Sequence, residues 1–260
     1  MPDEALYVYG IVESSFCKDW SEIGLERKKV YTINEGNFSA LVHKCKEKAY
    51  ISKDPNKIKE MILSHNLILD KAMEDFNGVI PMHFNTIIKR GKSSAQSSLK
   101  MWISENHENL QRILSRVKGK REYGIRIYYD KEKVIEEVSN SEEIKDIETN
   151  REGKGTGLSY LLQSKAKTKI NEIMCGRVNE FKKKFYDSIE KVTNNVKVTN
   201  SKVLIEEKKD LLLTLSVLVD ELQIGVIKKT LEESGNDFSF QLAGPFAPYS
   251  FVDDENDRQR

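Results

Sequence analysis

Asn56 to Arg90 reads NKIKEMILSHNLILDKAMEDFNGVIPMHFNTIIKR, and the fold of the first half of the chain turns on it. It follows Pro55, a residue suited to a first helical turn because the N–H it lacks would go unpaired there. Ile58, Met61, Ile62, His65, Leu69, Ala72 and Phe76 recur at three- and four-residue steps, the period of one helical face. Asn77-Gly78 stops that helix, since both residues tolerate left-handed backbone. Val79 to Ile88 is then β-rich, with Pro81 near its start, where a strand accepts one. The spacing predicts a helix, a tight turn and a strand returning beneath the helix.

Upstream, Ala5 to Val12 (ALYVYGIV) is an apolar and aromatic strand, with Tyr7 and Tyr9 on one face and Leu6 and Val8 on the other. Glu13 to Glu26 has no period and reads as loop. Lys29–Asn34 and Phe38–Cys45 form a hairpin around Glu35-Gly36-Asn37. Downstream, Ser93 or Ser94 caps a second helix whose stripe is Leu99, Trp102, Ile103, Leu110, Ile113, Leu114 and Val117, and Gly119 ends it.

Glu122 to Asp130 is a further strand. Lys131 to Glu152 holds eight acidic and four basic residues and has little to bury, so short helices at most and a mobile or peripheral place are expected. A helix from Leu158 to Val192 follows, about 50 Å long at 1.5 Å per residue, bending near Gly176 or packing across both halves. Val196–Ile205 and Asp210–Asp220 read as a strand pair, Glu221–Ser234 as a helix stopped by Gly235-Asn236, and Phe238–Leu242 as the last strand.

From Glu122 the order is strand, helix, strand, strand, helix, strand, the split βαβ order of ferredoxin-like domains. The expected fold class is α+β in two domains. The first, 1–119, is a variant with a β-hairpin before its first long helix. The second, 120–252, is ferredoxin-like, carrying the long helix and a Pro/aromatic tail. Residues 253–260 are an expected disordered end.

A chain of 260 residues suits two domains, and 38% hydrophobic with 32% charged residues describes a soluble globular protein. Lys and Arg total 42 against 41 Asp and Glu, so no net field draws the chain to nucleic acid or anionic lipid. Three scattered cysteines, Cys17, Cys45 and Cys175, suit reduced thiols in a cytosol. The acidic N-terminus lacks the pattern of a signal peptide, and the longest apolar run, Leu211 to Val219, is too short to cross a bilayer. It reads as a strand buried on both faces.

Few residues suggest chemistry. The histidines, His43, His65, His83 and His107, have no metal-ligand spacing. His65 lies on the apolar face of its helix, as a packed side chain or as a general base. His83 alternates with Pro81 and Asn85, facing a cleft or solvent. Gly153-Lys154-Gly155-Thr156-Gly157 lacks the preceding strand of a phosphate loop and reads as a flexible lead-in with Thr156 as a cap. Leu6 to Ile11 has some likeness to the first strand of RNA-recognition domains, but the nearest partner run, Lys120–Tyr129, lies too far along. No catalytic, cofactor-binding or metal-binding residue is assigned. The long helix carries Lys165, Lys167, Lys169, Arg177, Lys182, Lys183, Lys184 and Lys191 against Glu172, Glu180, Asp187 and Glu190. This is a solvated face, or a docking surface for an acidic partner screened in cis by Lys131–Glu152. Gly244 to Val252 packs two prolines and three aromatics past the last strand, as a clasp on its own fold or a partner-binding strap.

Several landmarks recur in order: Tyr7-Val8-Tyr9-Gly10-Ile11-Val12, His65, Val79-Ile80-Pro81, Phe84-x-Thr86, Glu122-Tyr123-Gly124, Gly157-x-x-Tyr160-Leu161-Leu162, and Gly244-Pro245-Phe246-x-Pro248-Tyr249-Ser250-Phe251. Together they resemble the gas vesicle protein L/F family over nearly the whole chain. Asn85 stands where the family usually has glycine, and Ala247 where a second consecutive proline is common. The resemblance implies a cytoplasmic, non-enzymatic accessory protein without cofactors, associated with gas vesicles. It implies contact with the small hydrophobic wall protein, and with other accessory proteins, during assembly. His65, Pro81, Phe84, Thr86, Pro245, Phe246, Pro248, Tyr249 and Phe251 are the candidate structural or partner-contact positions. The competing expectation is a ferredoxin-like small-molecule-binding or catalytic intracellular protein, with a pocket around His65 and His83. A solid core there favours the assembly role.

Overall fold

Pro55–Phe76 is the helix that the opening stretch predicts, and it forms for the expected reasons. Asp54 accepts the Asn56 N–H as N-cap, Pro55 fills the first turn, and Asn77 takes left-handed backbone (φ 55°) at the end. A computed structural model describes residues 5–91, 93–150, 154–199, 210–235 and 237–252. The elements in chain order are β1 (Ala5–Glu13), β2 (Asp19–Trp20), β3 (Val30–Glu35), β4 (Phe38–Cys45), α1 (Pro55–Phe76), β5 (Ile80–Pro81), β6 (Ile87–Ile88), α2 (Ala95–Glu105) and α3 (His107–Val117). There follow β7 (Arg121–Tyr129), α4 (Lys131–Ser139), α5 (Glu142–Thr149), α6 (Thr156–Glu190), β8 (Val196–Val198), β9 (Asp210–Val219), α7 (Glu221–Glu232) and β10 (Phe238–Phe246). The fold is mixed, with helices and antiparallel strand pairs.

The chain divides into two compact units, and the division is not a single cut. The described residues of the first unit are 5–123, 218–221 and 244–252; the second holds 124–217 and 222–243. The first unit thus includes the end of the chain as well as its beginning, whereas a boundary at 119/120 assigns the Pro/aromatic tail to the second domain.

In the first unit the sheet runs β2-β3-β4-β1-β5, with β6 also paired to β1. The sheet is a middle layer. Leu6, Val8 and Ile11 join Phe38, Ala40, Val42 and the α2 and α3 residues Leu99, Ile103, Leu110 and Leu114 on one face. Tyr7, Tyr9 and Val12 join Leu41 and the α1 residues Ile68, Leu69, Ala72 and Met73 on the other. Covering both faces is why β1 is apolar throughout rather than alternating. A bulge between Val8 and Gly10 shifts the register, so the alternation that puts 5, 7 and 9 beneath α1 resumes one residue out of phase. Gly10 fits there because a Cβ would lie 2.8 Å from the Ile80 carbonyl oxygen.

Three expectations for this unit change. Val79–Ile88 is two short strands, Ile80–Pro81 and Ile87–Ile88, both on β1, separated by an excursion through residues 82–86. The helix expected through Leu99 and Val117 is two, because Asn106 leaves helical geometry (φ −103°, ψ 13°) and its side chain bonds back to the Trp102 carbonyl. The expected loop Glu13–Glu26 contains β2, which extends the sheet by pairing with β3.

In the second unit the strands run β10-β7-β9-β8, with β8 antiparallel to β9. β9 is buried over Leu212–Val219, as a two-faced strand should be. The acidic segment is two helices, α4 and α5, that bury Val134, Val138 and Ile144. α6 is one helix of 35 residues. β10 continues past Leu242 to Phe246, through the run expected to follow the last strand. The second half of the expected Val196–Ile205 strand, Gly153, Asn236 and the end at 253–260 lie outside the described residues.

Candidate functional site

The buried face of β1 places Tyr7 and Tyr9 among histidines. The Tyr7 hydroxyl lies 2.9 Å from His65 Nδ1, and His65 Nε2 lies 3.1 Å from the Met82 carbonyl. A carbonyl only accepts, so Nε2 carries the proton and Nδ1 accepts from Tyr7. The Tyr7 oxygen in turn accepts the Asn85 N–H at 3.1 Å. Next to it the Tyr9 hydroxyl accepts the Leu25 N–H and meets His43 Nδ1 at 2.8 Å, and His43 Nε2 meets the Tyr50 hydroxyl at 2.9 Å. His65 is 1% exposed. Burial pushes its pKa down to about 4, against the opposing pull of the Met82 carbonyl, so the ring is neutral. Burial pushes the Tyr7 and Tyr9 hydroxyls up, keeping them protonated donors. This is a filled brace.

The brace holds the excursion between β5 and β6. Phe84 sits edge-on to His65 and Tyr7. Thr86 closes the turn with its hydroxyl on the His83 carbonyl at 2.7 Å, and its own carbonyl receives the Val8 N–H. Asn85 has φ 71°, the left-handed backbone for which glycine is the easy choice. Its amide also clamps Tyr50, taking the Tyr50 N–H at 2.8 Å and donating to its carbonyl at 3.1 Å. Pro81 is buried on β1, opposite Gly10.

The chain end folds onto the same unit. Ala247 and Phe251 enter its two apolar clusters, and the Arg116 guanidinium lies 5.7 Å over the Phe251 ring. The buried carboxylate of Glu122 receives the Ser250 N–H at 2.8 Å and the Ser250 hydroxyl at 2.5 Å. Tyr249 stacks on His83 and donates to Asn66 at 3.2 Å. Burial first, then neighbouring Tyr7 and Asp70, push its hydroxyl pKa up. At Gly244, φ is 128° and a Cβ would meet the Glu122 carbonyl oxygen and the Tyr123 ring at 2.9 Å. Of the nine candidate positions, His65, Pro81, Pro248 and Phe251 are buried, and Phe84, Thr86 and Tyr249 are half-buried. Pro245 and Phe246 are exposed, Phe246 at 48%.

The partners of these residues, Tyr7, Tyr9, His43, Tyr50, Asn85 and Glu122, are absent from the sequence-derived set. The available signal was Tyr7 and Tyr9 on one face, since a buried tyrosine hydroxyl needs a partner and the same half supplies histidines.

A second surface is the outer edge of β10. Among the described residues β10 pairs on one side only, with β7. Phe238–Ala243 (FSFQLA) contains no charged residue, and Gln241, Leu242 and Ala243 are exposed. Edge strands are normally kept from pairing with other chains by charge, brevity or bulges. β2, β5 and β6 have two residues each, and β8 has three with Lys197 at its centre. Over Phe238–Ala243, β10 is neither short nor charged.

On α6, Arg177 pairs with Glu137 at 2.9 Å and Lys169 with Glu143 at 3.4 Å, so α4 and α5 cover part of its basic face. Among the described residues no three His, Cys, Asp or Glu side chains gather as a metal-binding set. No helix among them is long and apolar enough to cross a membrane.

The model of the family described as gas vesicle synthesis protein GvpL/GvpF matches residues 5–253. Gas vesicle protein L of Haloferax mediterranei is 28% identical over 244 residues, 91% of this chain and 74% of that protein. Gas vesicle protein L1 of Halobacterium salinarum is 24% identical, over 95% of this chain and 90% of that protein. The crystal structure of gas vesicle protein GvpF from an Anabaena species superposes with a TM-score of 0.74 at 18% identity, covering 97% of this chain and 99% of that one. That of GvpF from Microcystis aeruginosa gives 0.66 at 16% identity, over 96% and 99%.

Proposed function

This chain belongs to the gas vesicle synthesis protein GvpL/GvpF family, and on that premise we propose that it is a non-enzymatic accessory protein that binds the small hydrophobic wall protein while the shell forms. A wall subunit needs an apolar gas-facing side, so before assembly it presents aggregation-prone surface. A bare strand edge can hold such a chain by adding it as a further strand, with main-chain hydrogen bonds supplying the affinity. The observation that carries this reading is the uncharged, one-sided edge Phe238–Ala243.

On this reading Pro245 and Phe246 are contact positions, while His65, Pro81, Phe84, Thr86, Pro248, Tyr249 and Phe251 keep the first unit in shape. The non-enzymatic role is supported at His65, whose two ring nitrogens are both engaged and which no substrate could approach. The order β10-β7-β9-β8, with helices after β7 and β9, supports reading the second domain as ferredoxin-like. The protein would work in the cytoplasm, at gas vesicles, with other accessory proteins as further partners.

The test is capture of purified wall protein by the intact chain and by a Leu242→Lys/Ala243→Lys variant, both at exposed positions. Capture should fall at least tenfold with the melting temperature unchanged, since lysine on an edge opposes strand addition. Capture that survives charges placed along β10 and along each other exposed edge would sink the reading.

A further inference from the structure

α6 presents a second surface, of different chemistry. From Asn171 through Met174, Cys175 and Val178 to Lys182, residues at three- and four-residue steps line a groove of about 400 Å³. Asn179 on the same helix, Tyr129 at the end of β7 and Lys131 at the start of α4 complete its lining. All of these residues belong to the second unit. We propose that this groove docks an acidic amphipathic helix of a partner protein.

Three observations define that occupant. The floor is apolar, made by Met174, Val178 and the Tyr129 ring, and calls for apolar anchors. The lining holds two lysines, Lys131 and Lys182, and no carboxylate. The nearby carboxylates Glu137 and Glu143 are already paired with Arg177 and Lys169, so they do little to cancel that charge. Burial first, then neighbouring Asp210 and Cys175, push the Tyr129 hydroxyl pKa up, so Asp210 is an acidic neighbour of the groove. The lined stretch of α6, from 171 to 182, spans about 16 Å at 1.5 Å per residue, three turns that match an incoming helix of similar length. Anchors at three- and four-residue steps would lie in the groove, with acidic flanks against the lysines.

Cys175 makes the site its own reporter. It is exposed and in the lining, Cys45 is buried, and Cys17 can be removed as Cys17→Ser. The probe is a synthetic fifteen-residue helical peptide with leucine at three- and four-residue steps and glutamate elsewhere. Its control has lysine for every glutamate. The acidic peptide should slow N-ethylmaleimide alkylation of Cys175 at least fivefold. Its affinity, read by fluorescence anisotropy, should fall about tenfold in Lys131→Glu/Lys182→Glu and about as much between low and physiological salt. Val178→Asp should abolish binding, with circular dichroism confirming that each variant is folded. Equal protection by the lysine peptide, no protection by either, or affinity indifferent to both lysines would overturn the proposal. None of these outcomes depends on whether the β10 edge binds the wall protein.

Discussion

The Tyr7 hydroxyl and His65 Nδ1 are 2.9 Å apart, and the direction of the proton between them is set from the far side of the imidazole. Because His65 Nε2–H must serve the Met82 carbonyl, Nδ1 can only accept, and Tyr7 is left to take the Asn85 N–H. One hydroxyl therefore links the first strand, the first long helix and the excursion after β5. Tyr7→Phe leaves a ring nitrogen and a backbone N–H without their partner. It should cost about 2 kcal/mol or more, read from urea unfolding midpoints.

His65 predicts a pH dependence. Its folded pKa, about 4, lies below the ordinary 6.5, so between these values the unfolded chain binds the proton and the folded chain does not. Stability from this residue is therefore complete above about pH 6.5 and is lost as pH falls toward 4, by up to about 3 kcal/mol. Urea midpoints measured from pH 7 to pH 4.5 should fall less steeply in His65→Gln than in the parent. An unchanged slope would show that His65 is already protonated in the fold.

Gly244 is required by its backbone and by its neighbours. Gly244→Ala would force an alanine to φ 128° with its Cβ 2.9 Å from the Glu122 carbonyl oxygen and the Tyr123 ring. A loss of about 2 kcal/mol or more is expected, visible as a lower thermal midpoint. Gly36→Ala also meets a positive φ, 59°, but no atom within 4 Å of its Cβ, and should cost less.

Asn85 separates conformation from contact. Asn85→Gly keeps the left-handed backbone but releases Tyr50 from two hydrogen bonds. It should lose about 1–2 kcal/mol, whereas Asn85→Val adds steric strain and should lose more. Thermal melts of the two variants give the comparison.

The pairing of α6 with α4 and α5 makes the basic face adjustable. Glu137→Gln/Glu143→Gln frees Arg177 and Lys169. Binding of the acidic helical peptide should strengthen about threefold at low salt and return to the parent value at high salt. Deleting the whole of Lys131–Glu152 would be a poorer test, because it removes Val134, Val138 and Ile144 from the core and Lys131 from the groove.

Much of the fold was legible because local chemistry and tertiary packing agree. Pro55, Asn77 and the three- and four-residue period bound α1; Gly36 marks the hairpin; Ser94 caps α2. Period alone could not find the break at Asn106, since the apolar stripe continues through it while one side chain ends the helix. Nor could it show that β5 and β6 are separate, because the excursion is held by Tyr7, Tyr50 and His65, distant in the chain. The acidic stretch offers little to bury by composition, yet three well-placed aliphatic residues suffice for two helices beside a long one. The single-sided exposure of β10 is a property of strand order, and no stretch of the chain announces it.

The placement of Ala247 and Phe251 in the clusters built around β1 bears on how the protein is made. A ribosome delivers β1 first and these two side chains more than two hundred residues later. The first unit cannot reach its final state as it is synthesised, and a prematurely ended polypeptide would leave a sticky, incomplete nucleus.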